Sequence, residues 1–266
     1  RAGISPRGLI EVQQIVRGQE ALNVGRQDPY VRSHPLTRDR IRAAEAFVAA
    51  YGDDVAPRPS DDYWFARAKG KLSAFVRAPK WTWRRVGAEK FQDVRLMREA
   101  IAAHRDRNLS LARKKINAAI ALRPKDGYYH DLKGQILLES HQINEAIKTY
   151  QMATQLAPGE PLILGGYGRA LLAAKRYEPA LEQLELARAR DFRDTRVLRD
   201  MSIAYAQLAQ PGMASVVTAE RYALQGRLQD ADIHARRAMR QLPQDSPPWR
   251  RAQDVLIAAE RATKRR

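Results

Sequence analysis

Residues 127–158 read GYYHDLKGQILLESHQINEAIKTYQMATQLAP. Leu132, Ile136 and Leu137 fall on one helical stripe, Ser140 to Gln142 interrupt it, and Ile143, Ala146, Ile147 and Tyr150 begin a second. The stretch predicts two amphipathic helices joined by a tight turn. Counted from Gly127, small or apolar residues stand at position 8 (Gly134), 11 (Leu137), 20 (Ala146), 24 (Tyr150) and 27 (Ala153), with Pro158 at 32. Two helices of a hairpin approach closely only where small side chains meet, so Gly134 and Ala146 are expected to face each other across the crossing.

The pattern recurs at a spacing of 34 residues. One step back places Ala100, Ala103, Ala112, Ile116, Ala119 and Pro124 at corresponding positions, and one step forward places Gly168, Leu171, Ala180, Leu184 and Ala187 there. A further step yields Ser202 and Tyr205, after which the phase shifts, and Ala219, Tyr222, Ala231, Ala235, Ala238 and Pro243 fit a unit opening at Gly212. The expected structure is an unbroken run of antiparallel helices, in which a helix over about 212–225 closes one pair and opens the next. Three units in phase argue against an ordinary bundle with chance periodicity. The spacing is that of tetratricopeptide repeats, so the expected fold class is all-α, a tetratricopeptide-type α-solenoid over 93–266. A closing helix is expected over 248–263, followed by an Arg-rich solvated tail.

The 266 residues suffice for one or two domains, and 44% hydrophobic content can fill a core. The absence of cysteine excludes thiolate metal sites, cysteine nucleophiles and disulfides. No run of eighteen apolar residues is present. A net charge of +17 favours acidic partners: nucleic acid, anionic lipid or acidic polypeptide. The cations are spread over helix faces without a recognisable nucleic-acid module, which argues against nucleic acid as the partner.

At the other end, Ser5-Pro6 opens a predicted helix over 4–22 through Leu9, Ile10, Val12, Ile15 and Val16. An aperiodic stretch follows over 25–36, and Thr37 starts a second helix with Ile41, Ala44, Phe47 and Val48 on one face. The segment Ser5-Pro6-Arg7-Gly8 and above all DPYVRSHPLTRDRI over 28–41 resemble the end of the catalytic domain of M48 zinc metallopeptidases. The likeness is closest to the exported bacterial branch that carries a C-terminal tetratricopeptide array. It implies that 1–51 are the last helices of a peptidase domain, that a zinc-binding catalytic half lies elsewhere, and that the parent enzyme works in the periplasm or cell envelope on protein quality control and outer-membrane assembly. Such enzymes hold zinc through an HExxH helix, and none of the five histidines here is followed by Glu. This chain alone is therefore expected to be non-catalytic and to need no cofactor. The resemblance assigns one possible metal contact, His34, as a latch onto a zinc held by the missing catalytic domain; the alternative is that His34 only orders its own loop.

Residues 52–60 read as a linker with Pro57 and Pro59 enforcing extended backbone. The 63–90 stretch that completes a 52–92 connecting region holds eight Lys and Arg against Glu89 alone, interleaved with Tyr63, Trp64, Phe65, Phe75, Trp81 and Trp83. Such a segment suits docking of the array onto the preceding domain, contact with an anionic membrane surface, or stacking of bases, in decreasing order of expectation.

Stacked repeats form a concave wall from their first helices. The residues expected to line it are Met97, Ile101 and His104 in the first unit, Tyr128, Asp131, Gln135 and Leu138 in the second, Leu162, Arg169 and Leu172 in the third, and Arg196, Arg199 and Ile203 in the fourth. This mixed apolar and charged set suits a protein or peptide client. Met97, Asp131, Gly165 and Arg199 at position 5 do not supply the Lys and Asn of a carboxylate clamp. His130 and His141 are expected to be surface or packing residues, since their spacing of eleven across a helix boundary suits no metal site. Two functions follow: the client-recruiting part of an M48-type protease, or a stand-alone interaction scaffold.

Overall fold

The computed structural model describes residues 7–16, 37–51 and 59–264. These residues form fourteen α-helices, with no strand among them. They divide into two compact units, Arg1–Tyr63 and Trp64–Arg266.

In the first unit α1 (Arg7–Val16) packs on α2 (Thr37–Tyr51), with Ile41 and Ala44 buried. Helix α3 (Pro59–Val76) belongs mainly to the second unit. Its start corrects the linker expectation at its last two residues, because Pro59 opens a helix instead of extending the chain; 52–58 lie outside the described residues. A proline loses nothing in a first turn, where the N–H has no intrahelical partner, and Asp61 and Asp62 behind it suit the positive end of the helix dipole.

The second unit continues with α4 (Pro79–Arg85), a 3₁₀ turn (Val86–Ala88), and then an array of ten helices. These are α5 (Gln92–Arg105), α6 (Leu109–Leu122), α7 (Gly127–Glu139), α8 (Ile143–Leu156), α9 (Pro161–Ala173), α10 (Tyr177–Arg190), α11 (Thr195–Gln207), α12 (Pro211–Leu224), α13 (Leu228–Gln241) and α14 (Pro247–Lys264). The last passes the expected bounds of the closing helix by one residue at each end. Each helix packs on its successor, and the first helices also touch one another, α5 on α7, α7 on α9 and α9 on α11. Helix α12 packs on α11, α13 and α14, so it closes one pair and opens the next as the phase shift implied.

Every 34 residues the same turn recurs. Arg107, His141, Lys175 and Ala209 take φ of 60°, 60°, 59° and 55°, and Gly226 takes 72° at the same position of the shifted unit. The residue after each sends its N–H five residues back, as in Asn108 to the Ala103 carbonyl and Gln142 to the Leu137 carbonyl. This is a Schellman ending, which satisfies the carbonyls that a helix C-terminus leaves open. The opposite turns are equally periodic: Asp126, Glu160 and Asp194 each cap the following helix by accepting from the N–H of Tyr128, Leu162 and Arg196.

The small residues sit where the helices cross. Ala100, Ala112, Ala119, Ala146, Ala153, Ala180, Ala187, Ala231 and Ala238 are fully buried. A Cβ added to Gly168 would lie 2.6 Å from Leu184 Cγ and 3.2 Å from the Ala180 carbonyl. At Gly134 the neighbour differs from expectation, since an added Cβ would meet the Tyr150 ring at 2.8 Å.

Candidate functional site: the inner wall of the array

Helix α3 lies on the first half of the wall. Gly70 permits the approach, because a Cβ there would stand 3.0 Å from Arg98 Cδ and 3.1 Å from Val94 Cγ1 on α5. Arg67 is buried and donates two hydrogen bonds to Asp126, from Nη1 at 2.5 Å and Nη2 at 2.8 Å. Its guanidinium stands 4.2 Å from the ring centroid of Tyr129 and 5.2 Å from that of Trp64, so charge pairing and cation–π attraction act together. One turn on, Lys71 Nζ is 3.9 Å from Asp131. At the far end Arg105 donates to the carbonyls of Ala74 and Arg77, which closes the helix C-terminus.

The second half of the wall is open. A cavity of about 410 Å³ is lined by Lys71 and Phe75 of α3, Asp131 and Gln135 of α7, Tyr150 of α8, Leu162, Gly165, Gly166 and Arg169 of α9, and Asp194, Arg196 and Val197 at α11. The arginines here are already paired. Arg169 and Arg199 donate to Asp200 at 2.7 and 2.8 Å, and Arg196 donates to Asp194 at 2.8 Å. Asp131 differs. Its side chain is 7% exposed, and it has no hydrogen bond among the described residues. Burial raises its pKa to about 6, with Glu160 adding to the rise and Lys71 and Arg196 opposing it.

Along the wall and its edge the acids are Asp126, Asp131, Glu139, Glu160, Asp194 and Asp200, and the array's own cations are Arg169, Arg196 and Arg199. With Arg67 and Lys71 of α3 the count is six acids against five cations, so the wall is close to balanced inside a strongly basic chain. Glu160 is held by the Tyr128 hydroxyl at 2.6 Å, a bond that pushes the tyrosine up to about 12. Glu139 accepts from Gln135 and pairs with His104 at 2.7 Å, and that bond lowers its pKa.

Of the residues expected to line the wall, Asp131, Gln135, Leu162, Arg169 and Arg196 meet in the cavity. His104, Leu138 and Leu172 are half-buried, and Tyr128, Arg199 and Ile203 are exposed. Met97 and Ile101 depart from the expectation. They are 1% and 0% exposed, because α3 covers the part of α5 that carries them, and Met97 lines a smaller cavity with Trp64, Ala68 and Lys71. The sequence leaves open whether a segment of the chain itself occupies the wall, and it does not single out Arg67 and Lys71 as the occupants. Their spacing of one turn on a basic helix was the available signal. The aromatics of 63–90 serve the array in part: Trp83 donates to Asp106 at 2.9 Å and Arg85 stacks on Trp81, whereas Phe65, Leu72 and Val76 face outward, each about two-thirds exposed. His141 is an exposed turn residue, and His130 is half-buried with its ring nitrogen 3.2 Å from the Pro124 carbonyl. His34 lies outside the described residues. Among those described, no group of three or more His, Asp or Glu is placed to hold a metal, and no helix is long and apolar enough to cross a membrane.

Residues 137–199 match the family model of the tetratricopeptide repeat. No curated protein matches the chain in sequence. Similar solved structures include "Crystal structure of MamA" (10% identity, TM-score 0.46, over 62% of this chain and 95% of that one) and "MamA RS-1 ArsTM double mutant" (16% identity, TM-score 0.49, over 65% and 96%). A third is TTC0263, a thermophilic TPR protein in Thermus thermophilus (18% identity, TM-score 0.43, over 62% and 99%). The chain is thus an all-α protein whose helical array carries tetratricopeptide repeats.

Proposed function

We propose that the inner wall holds a polypeptide segment and that the chain acts as a protein–protein interaction scaffold. The seating of α3 carries this reading: half of the wall already holds a helix by a buried ion pair, a cation–π contact and close backbone approach, while the continuing half offers the same kinds of group around a cavity that α3 reaches only through Lys71 and Phe75. Photo-cross-linking tests it. A benzophenone side chain at Leu172 or Ile203 is expected to capture a polypeptide in extract of the source cell, whereas one at Leu186 on second helix α10 is not. Equal capture from both faces, or none from either, would overturn the reading.

A finer reading joins this scaffold to a zinc peptidase half, for which it would position clients in the cell envelope. Its support is the likeness of 5–41 to the end of an M48 catalytic domain. An HExxH segment encoded upstream of Arg1 supports it, and replacing His34 with Ala in such an enzyme tests the latch: unchanged activity and unchanged zinc content discard it. The outward stripe of Phe65, Leu72 and Val76, adjoined by Lys69, Arg77 and Lys80, supports contact with an anionic membrane. Flotation with phosphatidylserine vesicles is expected to retain the chain, and Leu72→Asp with Val76→Asp to release it; no retention of the wild type removes the idea.

A further inference from the structure

We propose that the cavity around Asp131 is a subsite for an arginine or lysine side chain of the segment held on the inner wall, an assignment that rests on the reading of that wall as a peptide site. The primary observation is a buried carboxylate aimed into open volume. The nearest cation, Lys71 Nζ at 3.9 Å, is beyond hydrogen-bonding distance, and Lys71 keeps a third of its side chain in solvent. A carboxylate so placed has lost most of its water without gaining a hydrogen-bond donor in exchange, a cost that an incoming N–H group recovers. Tyr150 lines the same cavity, and its hydroxyl likewise has no hydrogen-bond partner among the described residues. The cavity thus offers a guanidinium or ammonium a carboxylate acceptor, with a second unengaged oxygen on a lining residue.

The charges around the cavity choose the sign of the ligand. Arg169 and Arg196, which could attract an anion, are engaged by Asp200 and Asp194. Glu160 adds negative potential at Asp131. The chain also supplies its own example one helical turn away, where Arg67 enters from α3 and is gripped by Asp126 with an aromatic ring beneath it. Asp131 stands in the corresponding relation to the next turn, with Lys71 too far away to do what Arg67 does.

The test uses the full chain and three probes: N-acetyl-arginine methylamide, its lysine analogue and its glutamate analogue, each titrated at pH 7.5 while the backbone amide signals of Gly165 and Gly166 are followed by NMR. The arginine probe is expected to shift both signals saturably and the glutamate probe to leave them in place. Asp131→Asn should weaken arginine binding about tenfold or more, the scale of a charged hydrogen bond. Lys71→Ala should strengthen it, because a competing ammonium is gone. The proposal is overturned if the arginine probe causes no saturable shift, if Asp131→Asn binds as well as wild type, or if the glutamate probe is preferred. Should the subsite fail while cross-linking from Leu172 and Ile203 persists, the peptide-binding wall stands and only its specificity is wrong.

Discussion

The covered and open halves of the inner wall are built from the same repeat, yet they differ in how their polar groups end. Under α3, Asp126 has two guanidinium hydrogen bonds and Met97 and Ile101 are sealed from water. Toward the end of α3 and past it, the arginines are paired at the surface, and Asp131 faces only the distant Lys71 and has no hydrogen bond among the described residues. The repeat alone does not decide which state a position takes. What decides it is whether another segment of chain lies on top, so the covered half shows what the open half requires of a ligand.

The largest way to break this comparison is Arg67→Ala. It leaves the largely buried Asp126 with only the Tyr128 N–H as a donor and is expected to cost about 2–3 kcal/mol in urea denaturation, with hydrogen exchange rising along α3. The matching change in the open half, Arg196→Ala, removes a pair whose cation is 58% exposed and should cost no more than about 0.5 kcal/mol. Equal costs would erase the distinction between the halves.

A second change acts on the scaffold beneath both. Gly168→Val drives methyl groups into Leu184 and the Ala180 carbonyl; a loss of about 2–3 kcal/mol is expected from overpacking, read as a lower melting temperature. An unchanged melting temperature would mean that the crossing is looser than the 2.6 Å approach indicates.

How far the sequence revealed this depends on the kind of signal. Helix pairs and crossing points were legible because Gly168, Ala146, Ala187 and their equivalents repeat at fixed spacing, a steric demand that composition cannot disguise. The recurring left-handed turn was not, since Arg107, His141, Lys175 and Ala209 fill it and only Gly226 follows the rule that glycine occupies such positions. Asp131 and Arg169 were found as wall residues from repeat position, but position cannot show that one carboxylate is satisfied and another is not. Nor could it show that α3 returns onto the wall, because the contacts of Arg67 and Lys71 with Asp126 and Asp131 span about sixty residues with no local pattern.

The turn gives a small expected effect. Ala209→Gly relieves the cost of holding a Cβ at φ 55° and should stabilise the array by about 0.5–1 kcal/mol, net of the added freedom of the unfolded chain. Gly226→Ala should lose a similar amount. Opposite signs in the two variants confirm one shared turn; the same sign in both would refute it.

The most direct measurement is the urea stability of Asp131→Asn at pH 7.5 and at pH 4.5. The groups facing this carboxylate are Lys71 of α3, Tyr150 of α8, Glu160 ahead of α9 and Arg196 of α11. Its folded pKa lies above the unfolded value, so the folded state holds the extra proton between about 4 and 6, and stability from this group falls as pH rises through that window. A site built to receive a ligand predicts that Asp131→Asn is more stable than wild type by about 2 kcal/mol at pH 7.5, with the advantage shrinking at pH 4.5. A variant less stable than wild type at pH 7.5 would show instead that Asp131 and Lys71 form a structural pair, and that the open half of the wall is as self-contained as the covered one.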